Sequence, residues 1–260
     1  MRKPALGDIG VGFGVGAFSG LLGVGGGILL VPFLVLARAF DQKRAQATSL
    51  VMVACAALFG ALTYALEGQV SWLPALLLLA GGFLGSLVGS HLVVRSANHV
   101  LQGAFAVLMI AVAIYLFVGA PNASDADVIE ISTSVAIGYV IAGLVMGILS
   151  ALFGIGGGIV LIPMLIGLFD YPQQLAAGTS LAVMCVVALV GAIRLTRPGF
   201  TNWRTGLTFG IASIPGALAG AAIALTLPAD YLRGIFAVVM AALGVRMFLH
   251  SVRTARDSVN

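Results

Sequence analysis

Residues 23–32, Gly-Val-Gly-Gly-Gly-Ile-Leu-Leu-Val-Pro, return almost unchanged as residues 154–163, Gly-Ile-Gly-Gly-Gly-Ile-Val-Leu-Ile-Pro. The offset of 131 positions reaches well beyond this motif. It pairs Ala47-Thr-Ser-Leu50 with Gly178-Thr-Ser-Leu181, Gly60 with Gly191, Gly68 with Gly199 and Trp72 with Trp203. It also sets Gly85 and Gly89 against Gly216 and Gly220, and residues 103–107 against 234–238. One ungapped offset through a whole half marks an internal duplication. The expected units are a first repeat over 1–119, a linker over 120–130 and a second repeat over 131–260.

The composition fixes the solvent. Of 260 residues 60% are apolar and 8% charged, with 13 Lys and Arg against 9 Asp and Glu. Mean hydropathy is +1.13. A soluble domain carries about a quarter charged residues, and so few charges could not cover this much apolar surface in water. A soluble enzyme, a disordered chain and a nucleic-acid binder are excluded, because the net charge of +4 is spread over short loops rather than gathered in a basic patch. The chain reads as an all-α polytopic membrane protein whose first partner is the lipid bilayer. Cys55 and Cys185 sit singly in apolar runs, without metal or disulfide spacing; no metal, cofactor or catalytic residue is expected. Met1-Arg2-Lys3 is charged like a signal-peptide n-region, but the apolar run continues to Phe40 without a cleavage site, so it reads as retained structure.

A spanning helix needs about 20 apolar residues, each rising ~1.5 Å through a core ~30 Å thick. Apolar runs cover 8–40, 44–66, 71–94 and 98–119, then 131–169, 175–197, 203–227 and 230–250. Between them lies the acidic stretch with Asp125, Asp127 and Glu130. The first run of each half would make a helix ~50 Å long, interrupted by glycines that each cost about 1 kcal/mol in a helix interior. Cytoplasmic loops collect Lys and Arg, and that rule separates two topologies. Eight simple spans divide the Lys and Arg residues 8 to 5; a first run that turns back at the glycines divides them 12 to 1.

The returning geometry is therefore expected, in a cell (inner) membrane. It gives each half a returning helix pair plus three single crossings. An odd number of crossings turns the second half over. Two inverted repeats follow, with both termini cytoplasmic and the acidic linker extracytoplasmic. Length alone leaves open whether each returning pair reaches the far side.

Irregular backbone at membrane depth survives only inside protein or along a polar cavity. Three consecutive glycines let backbone approach a ligand, and the helix after each turn points free N–H groups and a positive dipole end at it. Two such helix starts make a site for a small anion. The expected ligand groups are Gly25, Gly26, Gly27, Gly156, Gly157 and Gly158. Thr48, Ser49, Thr179 and Ser180 add hydroxyls that can donate to the anion or cap a helix. His91 and Arg194, rare ionisable residues within apolar runs, are candidates for the substrate path or for coupling, with snorkelling to the interface as the alternative. Gly12, Gly16 and Gly20, like Gly81, Gly85 and Gly89, recur every fourth residue and read as helix-packing seams. A valine at Gly26 or Gly157 is expected to stop transport with the fold intact.

The paired Gly-x-Gly-Gly-Gly-Ile-x-x-x-Pro motifs, each followed by x-Thr-Ser-Leu, resemble the TauE/SafE family of membrane permeases over nearly the whole chain. The resemblance implies export of sulfite, sulfonates or related organosulfur anions. It points to Gly25, Gly26, Gly27, Thr48 and Ser49 with Gly156, Gly157, Gly158, Thr179 and Ser180.

The expected function is a secondary transporter of a small sulfur-containing anion, working by alternating access. An anion channel using the same helix ends is the second reading. An intramembrane enzyme is the third, and it lacks any nucleophile–base pair or HExxH. No nucleotide-binding segment is present, so an ion or proton gradient, or the substrate gradient alone, supplies the drive.

Overall fold

The structure, a computed structural model, describes residues 6–118, 132–226, 241–242, 244–247 and 249. The acidic linker expected at 120–130 and most of the last apolar run, 230–250, lie outside the described residues.

Each long first run is broken at its glycines. Run 8–40 becomes α1 (Leu6–Leu22) and α2 (Gly27–Arg38), and run 131–169 becomes α6 (Thr133–Phe153) and α7 (Gly158–Phe169). The other runs form α3 (Gln42–Leu66), α4 (Trp72–Arg95), α5 (Asn98–Val118), α8 (Gln173–Thr196) and α9 (Trp203–Ala224). No strand occurs among the described residues. Five of these helices, α3, α4, α6, α8 and α9, are long and apolar enough to span a bilayer. Leucines such as Leu58, Leu76 and Leu168 face outward, each more than half exposed. In water that surface would drive aggregation; in lipid it is solvated. The protein is a polytopic all-α membrane protein.

The glycine seams join the halves. Methyl groups placed on Gly16 and Gly20 of α1 would overlap backbone of α9 at Ser213 and Ala217. On α4, Gly81 and Gly85 meet α6 at Val140 and Leu144 in the same way. These two contacts correspond under the 131-residue offset, so each half lends its first helix to the other half's fourth. With little hydrophobic force between helices in lipid, such backbone approach is what holds them together.

Contact order gives direction. Positions 16 and 20 meet 213 and 217, so α1 and α9 run parallel, and positions 206 and 210 meet 51 and 55, so α3 runs with them. Helices α4, α6 and α8 run parallel to one another. The equivalent helices α3 and α8 are antiparallel, since Gly60 meets Leu181 while Gly191 meets Leu50. Because α1 and α3 share a direction, α2 must return, and Arg38 at its end pairs with Asp8 at the start of α1. In the second half Phe169 returns to stack on Tyr139, with ring centroids 4.2 Å apart.

This arrangement gathers basic residues at one end. Lys43, at the start of α3, donates to Val94 O of α4 at 3.0 Å and lies 5.4 Å from the Phe200 ring centroid before α9. The end of α2, the starts of α3 and α9 and the ends of α4 and α8 are thus at one end of the bundle. Arg38, Lys43, Arg44, Arg95, Arg194 and Arg204 belong to those segments, and Arg197 caps the end of α8. Among the described acids, Asp8 and Asp41 lie at this same end of the bundle, at the starts of α1 and α3, while Glu67 and Asp170 follow α3 and α7 at the opposite end.

Candidate functional site

The two glycine turns meet in the core. Gly25 and Gly26 have φ of 82° and 67°, and Gly156 and Gly157 have 81° and 88°. Side chains resist this left-handed region. Gly27, the first residue of α2, sits so close to Gly154 O that a methyl group could not fit, and a Cβ there would lie 3.0 Å from Ser49 Oγ. Gly158, the first residue of α7, lies against Gly23 O and Val24 Cα in the matching arrangement. Each helix start therefore rests on the other half's turn. α2 leaves toward the cation-rich end and α7 toward the other, so both positive dipole ends point inward.

Between the turns sit Val53 and Met184, themselves equivalent under the repeat. A Cβ on Gly156 would lie 2.5 Å from both Val53 Cγ1 and Met184 Cε. These side chains fill the middle of the turn pair.

Polar groups surround it. Ser19 and Ser150 are equivalent residues one helical turn before each glycine turn, and their carbonyls accept from Gly23 and Gly154 N–H at 2.9 and 2.8 Å. Both side chains are buried, and neither hydroxyl has a partner among the described residues. The same is true of Ser49 Oγ and of both amide atoms of Gln46. Gln46 adjoins the second turn, since a Cβ on Gly154 would lie 2.5 Å from Gln46 Cα. A buried polar group without a partner costs about 1–3 kcal/mol, so this cluster is expensive unless something enters to satisfy it.

The expected site residues divide under this geometry. The glycines, Ser49 and Ser180 come together. Ser180 Oγ, however, donates to Met184 Sδ at 3.3 Å. Thr48 and Thr179 are buried in the same helices but have structural work. Asn202 N–H donates to Thr48 Oγ1 at 3.2 Å, and Ser71 N–H donates to Thr179 Oγ1 at 3.0 Å. They tie the starts of α9 and α4 to the opposite half.

His91 and Arg194 are exposed near the cation-rich end of α4 and α8, and the fold does not bring them to the turns. The valine expectation needs correction. A Cβ at Gly26 would lie 2.8 Å from Val15 Cγ1 and one at Gly157 2.5 Å from Met146, on backbone with positive φ, so valine there disrupts the fold itself. Among the described residues no three His, Cys, Asp or Glu side chains gather as a metal site.

Ser19, Ser150 and Gln46 escaped the sequence reading. The serines carried a signal, because both lie four residues before the first glycine at the common offset. Gln46 carried the opposite signal, a break in the match, with Ala177 as its counterpart.

Comparison with known proteins agrees with this architecture. The family model for the sulfite exporter TauE/SafE matches residues 1–116 and 139–259. A "Probable membrane transporter protein" of Xylella fastidiosa is 28% identical over 246 residues, covering 94% of each chain. The "Probable membrane transporter protein YunE" of Bacillus subtilis is 25% identical, covering 93% of this chain and 96% of its own. A third relative, from Methanocaldococcus jannaschii, is 27% identical over 92% of this chain and 93% of its own, and is also named a probable membrane transporter protein. No solved structure matches. The chain belongs to the TauE/SafE family, and these relatives are all named probable membrane transporter proteins.

Proposed function

We propose that the protein is a secondary transporter, not an enzyme, which carries a small sulfur-containing anion such as sulfite or a sulfonate by alternating access between two inverted repeats. The observation that carries this reading is the turn pair: two glycine-led helix starts, each resting on the other half's turn, among buried hydroxyls that lack partners. Inversion is supported by the antiparallel run of α3 and α8, which the repeat makes equivalent. The clustering of cations at one end supports a cytoplasmic placement of that end. The sulfur chemistry comes from the family to which the chain belongs.

The ligand groups in this reading are the glycine turns at 25–27 and 156–158 with the hydroxyls of Ser19, Ser49, Ser150 and Ser180. No Lys or Arg lies among them, so a bound anion relies on dipoles and hydrogen bonds. Each helix end supplies about half a positive charge, enough together for one negative unit. Val53 and Met184 close the middle of the turn pair, which favours a carrier with two access states over an open channel. Purified protein in liposomes should take up sulfite or a sulfonate with saturation at low turnover. Uptake linear in concentration, at rates that no conformational cycle allows, would replace the carrier with a channel. Absence of any uptake of sulfur anions would remove the substrate class.

A further inference from the structure

Gln42, Gln46, Ser49 and Val53 follow one another at spacings of four, three and four, and so share one face of α3. Gln42 is 3% exposed, and Gln46 and Ser49 are fully buried. Both amide atoms of each glutamine and the serine hydroxyl lack a partner among the described residues. The face begins at the cation-rich end, where Lys43 and Arg44 leave the same turn of helix, and ends where Ser49 and Val53 reach Gly27, Gly25 and Gly156. The equivalent face of α8 reads Gln173, Ala177, Ser180 and Met184. There Gln173 is only half-buried, position 177 is apolar, and the serine hydroxyl is engaged by methionine sulfur.

We propose that the Gln42–Gln46–Ser49 face is a one-sided loading path that leads an anion from the cation-rich end to the turn pair, with Gln46 as its specificity-determining contact. This inference takes its destination from the site reading above. The Arg and Lys residues outnumber Asp8 and Asp41 at this end and raise the local anion concentration at the mouth. Further in, the glutamines and serine replace water with neutral donors and acceptors. A carboxamide offers two N–H donors and one acceptor oxygen. It therefore fits a monoanion that still carries a proton, which can both accept and donate, better than a bare dianion. All three side chains are buried here, so the path is shut in this conformation and opens during the cycle. The matching face of α8 has no such ladder, and Ala177 and Met184 leave the other half without a polar route.

The test uses single cysteines at Gln46, Gln42 and Ala177 in full-length protein whose Cys55 and Cys185 are replaced by alanine. Vesicles of known orientation are treated with anionic 2-sulfonatoethyl methanethiosulfonate and with its cationic trimethylammonium counterpart. Each rate is normalised to that of a free thiol. Gln46→Cys should react from the cation-rich end at least tenfold faster with the anionic reagent than with the cationic one. It should also react at least tenfold faster than Ala177→Cys does from either face, and methanesulfonate should slow it. Gln42→Cys reads the same path one turn nearer the mouth if Gln46→Cys does not fold. Unreactive cysteines at both positions, equal rates at 46 and 177, or a preference for the cation would overturn the path. Labelling at 46 that methanesulfonate leaves unchanged, in protein that takes up no sulfur anion, would keep a polar path while removing the anion site at its end.

Discussion

The two returning helix pairs are built alike at their tips and differently at their mouths. At the tips the glycines, Ser19 and Ser150, Ser49 and Ser180, and Pro32 and Pro163 agree residue for residue. At the mouths the same repeat positions hold Asp8 and Arg38 in one half and Tyr139 and Phe169 in the other. The first mouth is closed by an ion pair whose side chains are 12% and 36% exposed. The second is closed by stacked rings, with the Tyr139 hydroxyl donating to Tyr171 at 3.2 Å. The tips meet each other in the core and carry the same glycines, serines and prolines, although Gln46 adjoins the second turn where Ala177 adjoins the first. The mouths face opposite ends of the bundle, one rich in cations and one not, and their closures have diverged accordingly.

The comparison can be broken first at the seams. Gly16→Val and its equivalent Gly147→Val each drive a side chain into facing backbone, at Ser213 and Gly82. Overpacking costs about 1–3 kcal/mol where neighbours can move and more where the obstacle is backbone. Both variants should lose most folded protein in detergent size-exclusion profiles, to similar extents. A large difference between them would mean that the two seams are not equivalent.

The mouths should then separate. Phe169→Ala removes a ring that is 7% exposed and should cost about 3–5 kcal/mol, the usual scale for a buried aromatic, with no dependence on salt. Arg38→Ala breaks a partly exposed pair and should cost up to about 1 kcal/mol, less at high ionic strength. Thermal melts in low and high salt would read both. Equal losses, or a salt response in Phe169→Ala, would contradict the division between an ionic and an aromatic closure.

The smallest effect sharpens the comparison at the tips. Ser49→Ala deletes a hydroxyl without a partner and should leave melting temperature unchanged or slightly raised, because an unpaired buried group is a liability. Ser180→Ala deletes a weak bond to sulfur and should lower stability slightly. Thr48→Val should lower it by about 1 kcal/mol, since it removes the acceptor for Asn202 N–H. The reverse order would show that Ser49 has a structural partner.

How much of this was legible follows from the kind of signal each feature leaves. The duplication was readable as one ungapped offset, the broken first runs from glycine clusters and run length, which act locally on the backbone, and the return from the distribution of Lys and Arg among the loops. The seams at Gly16 and Gly81 were readable from four-residue spacing. The roles of Thr48 and Thr179 were not, because their partners Asn202 and Ser71 lie more than a hundred residues away and only the packing of α3 on α9, and of α8 on α4, brings them together. Gln46 was hidden for another reason. A polar residue near a helix start reads as an ordinary interfacial residue until the opposing Gly154 backbone is seen to bury it.

The most direct test of an anion held between the two tips is isothermal titration of sulfite into purified wild type and Ser49→Ala over a pH series that spans the change in sulfite charge. The account predicts one saturable site per chain, affinity that declines as the dianion fraction grows, and about tenfold weaker binding in Ser49→Ala, equivalent to ~1.4 kcal/mol. Binding that is unaffected by Ser49→Ala and strengthens steadily with the dianion fraction would contradict it, and would place the anion near the cations instead.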